Sequence, residues 1–124
     1  IDDFIKQANL PPLSTEQRET LDLPFTTQEI AETIDSLATG KSPGPDGYSA
    51  LYYKSFKKEI CPLMCAYFNH IDDSNNFHKQ AKEAHITIIP KQGKDPQLCS
   101  SYRPISLINI DLKIYAKIIA NRLK

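Results

Sequence analysis

Four groupings of side chains in this 124-residue sequence have the types and spacing that chemistry could use. Gly40-Lys41-Ser42 ends like a phosphate-binding loop, in which backbone N–H groups cradle phosphate and the lysine meets its charge. That loop needs a glycine where Asp35 stands, a strand before it and a helix opening at the Lys-Ser pair. Here a helical pattern precedes and Pro43 follows, so the cradle cannot form. Cys61, Cys65 and His70 suggest zinc, with His78, His85 or Cys99 as the fourth ligand. The tight Cys-x2-Cys knuckles of zinc modules are missing, and small thiols on an apolar helix face fit the spacing better. Asp72-Asp73 and Asp2-Asp3 are paired carboxylates of the kind that hold Mg²⁺. Asp72-Asp73 runs into Ser74-Asn75-Asn76 with no further acid nearby, which reads as a solvated helix terminus. The three histidines fall in different elements, with no nucleophile elbow to complete a hydrolase. No catalytic residue and no metal ligand is expected in this chain.

Charge points elsewhere. Net charge is zero, but residues 1–40 carry eight acids and two bases, whereas residues 74–124 carry nine bases and three acids. A basic half beside an acidic half suggests a polyanion partner for the former. An apolar fraction of 40% with 24% charged residues describes one modest globular domain. No apolar run approaches the ~18 residues of a membrane span and no signal peptide opens the chain, so no membrane partner is expected. Three cysteines without secretory context imply free thiols in a reducing compartment, hence an intracellular protein, of nucleus or cytoplasm. The start at Ile1 and the stop within a helical pattern at Lys124 suggest a piece of something longer.

The elements that must position these residues follow from periodicity and punctuation. A short helix is expected over residues 2–8, stopped by Pro11-Pro12. Ser14 with Gln17 caps a brief second helix, and Pro24 marks the next break. Thr26 with Glu29 forms a capping box, behind which Ile30, Ile34, Leu37 and Ala38 make one stripe of a helix ending at Gly40. Five of the eight residues 40–47 are Gly or Pro, which demands a turn or loop closed by Asp46-Gly47. A helix follows from Ser49. From Glu59 to Asp73, Ile60, Leu63, Met64, Tyr67, Phe68 and Ile71 form the clearest amphipathic helix. Residues 84–90 read as a strand ended by Pro90, and 102–108 as a second, edge strand carrying Pro104. A last helix from Asn109 shows Leu112, Tyr115, Ile118, Ile119 and Leu123 on one stripe, with Asn109 or Asp111 near its cap. The class is α+β, with helices flanking a small antiparallel sheet.

Two segments resemble the reverse transcriptase domain of non-LTR retrotransposons, the long interspersed element type. GKSPGPDGYSALYYKSF (40–56) is similar to the family's opening K-S-P-G-P-D-G block and its aromatic-rich helix. ITIIPKQGKDPQLCSSYRPISLINIDLKIYAKIIANRLK (86–124) resembles I-x-x-I-P-K-x-G-K-D, then Y-R-P-I-S-L-x-N-x-x-x-K, then I-x-A-x-R-L. Order and spacing agree over about residues 26–124; Tyr48-Ser49 departs mildly from the residues common after the block's last glycine.

The resemblance implies an RNA-directed DNA polymerase. The chain would hold residues 1–39 as an N-terminal helical extension and 40–124 as a partial domain: the opening loop and fingers of a right-hand fold, with the palm missing. The implied partners are an RNA template, a DNA primer, deoxynucleoside triphosphates and the remainder of the polymerase chain. The family's Mg²⁺ sits on aspartates that would lie beyond Lys124, so the fragment alone should not polymerise. Lys91 or Lys94, with Arg103, would grip the incoming triphosphate; Arg suits this because its planar fork bonds two phosphate oxygens. The alternatives are a solvated loop for the lysines and a fold-locking salt bridge for Arg103. Lys41, Ser42, Gly44, Gly47 and Tyr48 would contact template, or the block is only a rigid turn that buries Tyr48. At the level of the whole chain, the alternatives are an inactive relic, an adopted RNA-binding module or a group II intron-type enzyme.

Overall fold

Helix starts in this chain are fixed by side chains that accept orphan amide hydrogens. Ser14 accepts from the Gln17 N–H while the Gln17 side chain accepts from the Ser14 N–H, and α1 runs Thr15–Leu21. Thr26 accepts from the Glu29 N–H to open α2, Thr27–Asp35. Ser49 opens α3, Ala50–Ser55, by accepting from Tyr52. After the single residue Phe56 comes α4, Lys57–Ser74; then a 3₁₀ turn (Lys79–Lys82), β1 (Ala84–Pro90), a second 3₁₀ turn (Cys99–Ser101), β2 (Tyr102–Ile108) and α5 (Ile110–Arg122). The computed structural model describes residues 11–74 and 76–124. The helix expected over 2–8, Asp2-Asp3 and the side chains of Asp72 and Asp73 lie outside the described residues.

The core is helical. Ile30 and Ile34 of α2, Met64, Phe68 and Ile71 of α4, and Ile110, Ile114 and Ile118 of α5 are buried together, with Phe25 leading into them. Residues on both sides of position 40 therefore share one apolar interior. Phe25 lies edge-on to Phe68 at 5.7 Å between ring centres and 5.2 Å from Tyr115. Its backbone is fastened to α4: the Phe25 N–H donates to Asn69 Oδ1 at 2.8 Å, and its carbonyl accepts from Asn69 Nδ2 and Cys65 Sγ, each at 3.1 Å. Cys61 is buried on the same helix, and burial pushes its thiol above the usual cysteine range. Both thiols thus serve packing.

Three expectations shift in detail. The helix expected to reach Gly40 ends at Asp35, because Ser36 turns its hydroxyl back to the Thr33 carbonyl at 2.7 Å and competes with the helical ladder. Leu37 still packs against the core, but Ala38 is exposed. In α5 the buried stripe is Ile110, Ile114 and Ile118, with Leu123 exposed; in α4, Leu63 is exposed. The α4 helix also continues through Asp73 to Ser74, into the segment expected to turn.

β1 and β2 pair antiparallel over the expected residues, from Ala84 opposite Ile108 to Pro90 opposite Tyr102. This hairpin stands clear of the helical core: every residue of β1 is exposed, including Ile86 at 72% and Ile88 at 63%.

The N-terminal part is held by Arg122 at the end of α5. Its Nε and Nη2 donate to the two Glu29 carboxylate oxygens, each at 2.8 Å. Nη1 donates to the Leu21 carbonyl at 3.2 Å and to that of Leu23, and Nη2 to that of Pro24 at 3.1 Å. The guanidinium also lies 4.6 Å over the Phe25 ring. Glu29, expected to close a capping box, spends its carboxylate on this pair instead. The Arg122 hydrogen bonds hold the Glu29 carboxyl below the usual glutamate range, although partial burial opposes them. A depressed carboxylate pKa stabilises the fold fully above the unfolded value and loses that contribution as pH falls through the folded one. The melting temperature should therefore drop as pH falls through and below about 4.3, and Glu29→Gln should lack that component. At neutral pH, Arg122→Ala should cost about 3 kcal/mol in a denaturant melt, with Arg122→Lys recovering only part; an unchanged midpoint would contradict the arrangement.

Candidate nucleic-acid and nucleotide interface

The loop of residues 40–48 is shaped by two glycines in left-handed backbone, Gly40 at φ 76° and Gly47 at φ 78°. The Gly47 N–H closes a turn onto the Gly44 carbonyl at 3.1 Å, and Asp46 Oδ1 accepts from the Tyr48 N–H at 3.0 Å. Gly44 is buried for a different reason. A Cβ there would lie 2.5 Å from the Asn109 nitrogen and from the Ile108 carbonyl carbon, backbone atoms that cannot yield. Asn109 itself is buried, and its Oδ1 accepts from the Asp46 N–H at 3.2 Å rather than bonding an amide of α5. The loop is thus docked on the junction of β2 and α5.

Of the loop residues singled out from sequence, Lys41 and Ser42 are exposed, Gly47 is exposed in its turn, and Gly44 is engaged against Asn109. Tyr48 is not buried by the turn: it is 48% exposed and its ring lies 4.6 Å from that of Tyr52, which in turn lies 5.0 Å from Phe56. Beneath Tyr48 a cleft of about 500 Å³ is lined by Tyr53 and Tyr67 and by the carboxylates of Asp46, Glu83 and Asp111. Burial, with the nearby Asp111 and Asp46 charges adding to it, pushes the Tyr53 hydroxyl far above the usual tyrosine range. The Lys41 end of the loop suits phosphate, while the Asp46–Tyr48 end repels it.

The hairpin loop is knit internally. Lys91 donates from its backbone N–H to the Ser101 carbonyl and from Nζ to the Ser100 carbonyl, both at 2.7 Å. Gly93 turns the chain at φ 72°, and Tyr102 donates its hydroxyl to the Pro96 carbonyl at 2.9 Å. Lys91 therefore closes the loop, and Lys94 is the lysine left exposed on it. Arg103 sits opposite Ile89 on the hairpin, and its side chain is exposed and makes no ion pair or hydrogen bond among the described residues. The fold-locking salt bridge weighed for Arg103 is absent there; Arg122 makes that kind of bridge instead. The structure places Lys91 and Lys94 in the loop of the hairpin and Arg103 near the loop end of β2, and it seats the 40–48 loop at the root. Those two ends are separated by about 17 Å of strand.

Sequence reasoning missed Asn109 and Arg122. The polar residue opening α5 was visible as a cap, but nothing local showed that its oxygen serves Asp46. Arg122 was counted as one of nine basic residues, and its partner lies 93 positions away.

No family model matches the chain. It is 30% identical over 115 residues to the transposon TX1 uncharacterized 149 kDa protein of Xenopus laevis, covering 93% of this chain and 9% of that protein. It is 36% identical over 118 residues to a protein of Drosophila melanogaster named "Probable RNA-directed DNA polymerase from transposon BS", covering 94% of this chain and 13% of that one. To the RNA-directed DNA polymerase from mobile element jockey of the same fly it is 34% identical over 98 residues, 79% of this chain and 11% of that one. These relatives are transposon-encoded proteins, and the two from the fly are polymerases by name. Over most of its length the chain is similar to a segment of these non-LTR transposon proteins, and it spans about a tenth of their length.

One residue of the acidic cleft yields a stability test. Burial raises the Asp111 carboxyl above the usual aspartate range and Asp46 adds to this, although the Leu112 N–H, donating at 2.7 Å, opposes it. A raised carboxyl pKa means that the charged form costs stability at neutral pH, a cost that fades as pH falls and the folded state takes up its proton. Asp111→Asn should raise the melting temperature at pH 7, with the gain shrinking toward pH 4; a lower melting temperature at pH 7 would contradict the burial account.

Proposed function

We propose that the chain is the fingers part of a right-hand polymerase that copies RNA into DNA, with residues 1–39 as its N-terminal extension. The observation that carries the reading is the side chain of Arg103, exposed and unengaged near the loop end of the hairpin whose loop carries Lys94. A guanidinium on an extended strand before Pro104 has its direction set by the backbone and can make two charge-assisted bonds to a phosphate. Lys94 adds a point charge, and Lys91 acts by holding the loop that presents both. At the other end, Lys41 and the Ser42 backbone meet template phosphate, and Tyr48 offers a ring to a base. Primer, template and triphosphates are then the partners, inside the cell. Mg²⁺ supplies the charge neutralisation that phosphoryl transfer needs. On this reading the carboxylates that hold it lie in the rest of the polymerase chain.

The 124-residue chain should bind single-stranded RNA weakly and without sequence preference. Log affinity should fall against log salt with a slope of about −0.7 per phosphate contact. Titrating labelled RNA at several salt concentrations reads this, and binding that ignores salt would count against the hairpin as a polyanion surface. In the intact polymerase, Arg103→Ala should lower kcat/KM for deoxynucleotides by at least about tenfold, because each charge-assisted bond contributes ~1.5–3 kcal/mol. Primer–template affinity and melting temperature should hold, and Arg103→Lys should recover only part. Nucleotide kinetics that do not change would refute the triphosphate role.

A further inference from the structure

The hairpin is a cantilever. No residue of β1 is buried, and along β2 the residues 103–106 are exposed; at the tip end Ser101 is buried and Tyr102, bonded to its own loop at Pro96, is half-buried, and at the root Leu107 and Ile108 are half-buried and Asn109 is buried. From Asn109 to Arg103 the strand covers about 20 Å, so a rock of about 10° at the root displaces the tip by about 3.5 Å. That displacement exceeds a hydrogen bond's tolerance, so whatever fixes the root decides where the tip stands.

At the root, two independent features meet. The Asn109 side chain accepts from the Asp46 N–H, although a residue at a helix N-cap ordinarily turns its oxygen to that helix's own amides. Gly44 lies so close to Ile108 and Asn109 that no side chain fits between them. The one contact is polar and directional, the other steric, and both join the same loop to the same strand end.

We infer that Asn109 is a positioning residue: with Gly44 it clamps the 40–48 loop to the root of β2 and so fixes the placement of Lys94 and Arg103. The clamp also makes the loop and the hairpin one mechanical unit, so that a load on either is felt by the other. That the tip meets a triphosphate rests on the function proposed above; the clamp does not.

Cys99, exposed on the hairpin loop, is a natural labelling handle. With Cys61→Ala and Cys65→Ser in the background, a spin label on Cys99 and a second at Lys58→Cys on α4 report the tip's distance from the core by pulsed electron resonance. Asn109→Ala should broaden the distance distribution about twofold or more, by the lever estimate above. Asn109→Asp, which keeps an oxygen acceptor and suits a helix N-terminus, should leave it narrow. A distribution equally narrow in all three proteins overturns the clamp, and so does equal broadening by Ala and Asp. Should Asn109→Ala fail to fold, amide exchange in the unsubstituted chain still decides. The Asp46 N–H, on an exposed residue, must be protected, and exchange at the rate of a free loop amide overturns the proposal. In the intact polymerase, Asn109→Ala should raise the nucleotide KM more than it changes kcat or primer–template affinity. Broadening without that rise would leave the clamp standing and remove the nucleotide role of the tip.

Discussion

All five N–H donors of the Arg122 guanidinium are committed, two to the Glu29 carboxylate and three to the carbonyls of Leu21, Leu23 and Pro24. The segment between α1 and α2 has no ladder of its own to satisfy those carbonyls, and Arg122 takes the place of one. Because the same segment delivers Phe25 into the core, the side chain at the end of α5 decides whether α1 and α2 stay attached. Most of the apolar interior depends on this, since Ile30 and Ile34 of α2 fill the space between α4 and α5.

That commitment also redistributes the charge. A count of basic residues over 74–124 treats them as one surface, but Arg122 faces inward and Lys91 is bonded to its own loop. Of the seven that remain, Lys94 and Arg103 lie on the hairpin, Lys79 and Lys82 in the 3₁₀ turn before it, and Lys113, Lys117 and Lys124 on or just after α5. Across the root of the same hairpin the sign reverses, with Asp46, Glu83 and Asp111 around one cleft. The loop end of the hairpin and the cleft at its root therefore differ in the sign of their charge, although the net charge is zero.

Local signals were legible where local physics decides the outcome. Ser14, Thr26 and Ser49 announce helix starts because a capping hydroxyl acts within three residues, and β-branched runs bounded by proline gave both strands to the residue. The phase of α5 was not legible: Leu112 and Leu123 are as apolar as Ile110 and Ile114, and only the position of α2 and α4 selects among them. The pairing of Glu29 with Arg122 and of Asp46 with Asn109 spans 93 and 63 residues, beyond the reach of any periodicity. The motif residues of the candidate site were legible, but their placement was not: that Lys91 bonds its own loop while Lys94 is exposed, and that Gly44 packs against Asn109 while Lys41 is exposed, depends on contacts distant in sequence.

The two-stranded sheet has a last consequence, for the chain in a test tube. Both outer edges of the hairpin are open, and Ile86 and Ile88 add an apolar strip beside them. Open edges with such strips invite a second chain to extend the ladder, the usual route to edge-to-edge aggregation. Pro104, near the middle of β2, and Pro90, at the end of β1, each remove a donor from that ladder. Together with Arg103 next to Pro104, they leave an incoming strand a ladder broken by missing donors and flanked by a charge. Prolines that punctuate a folding pattern thus double as guards against self-association along the edges of this hairpin.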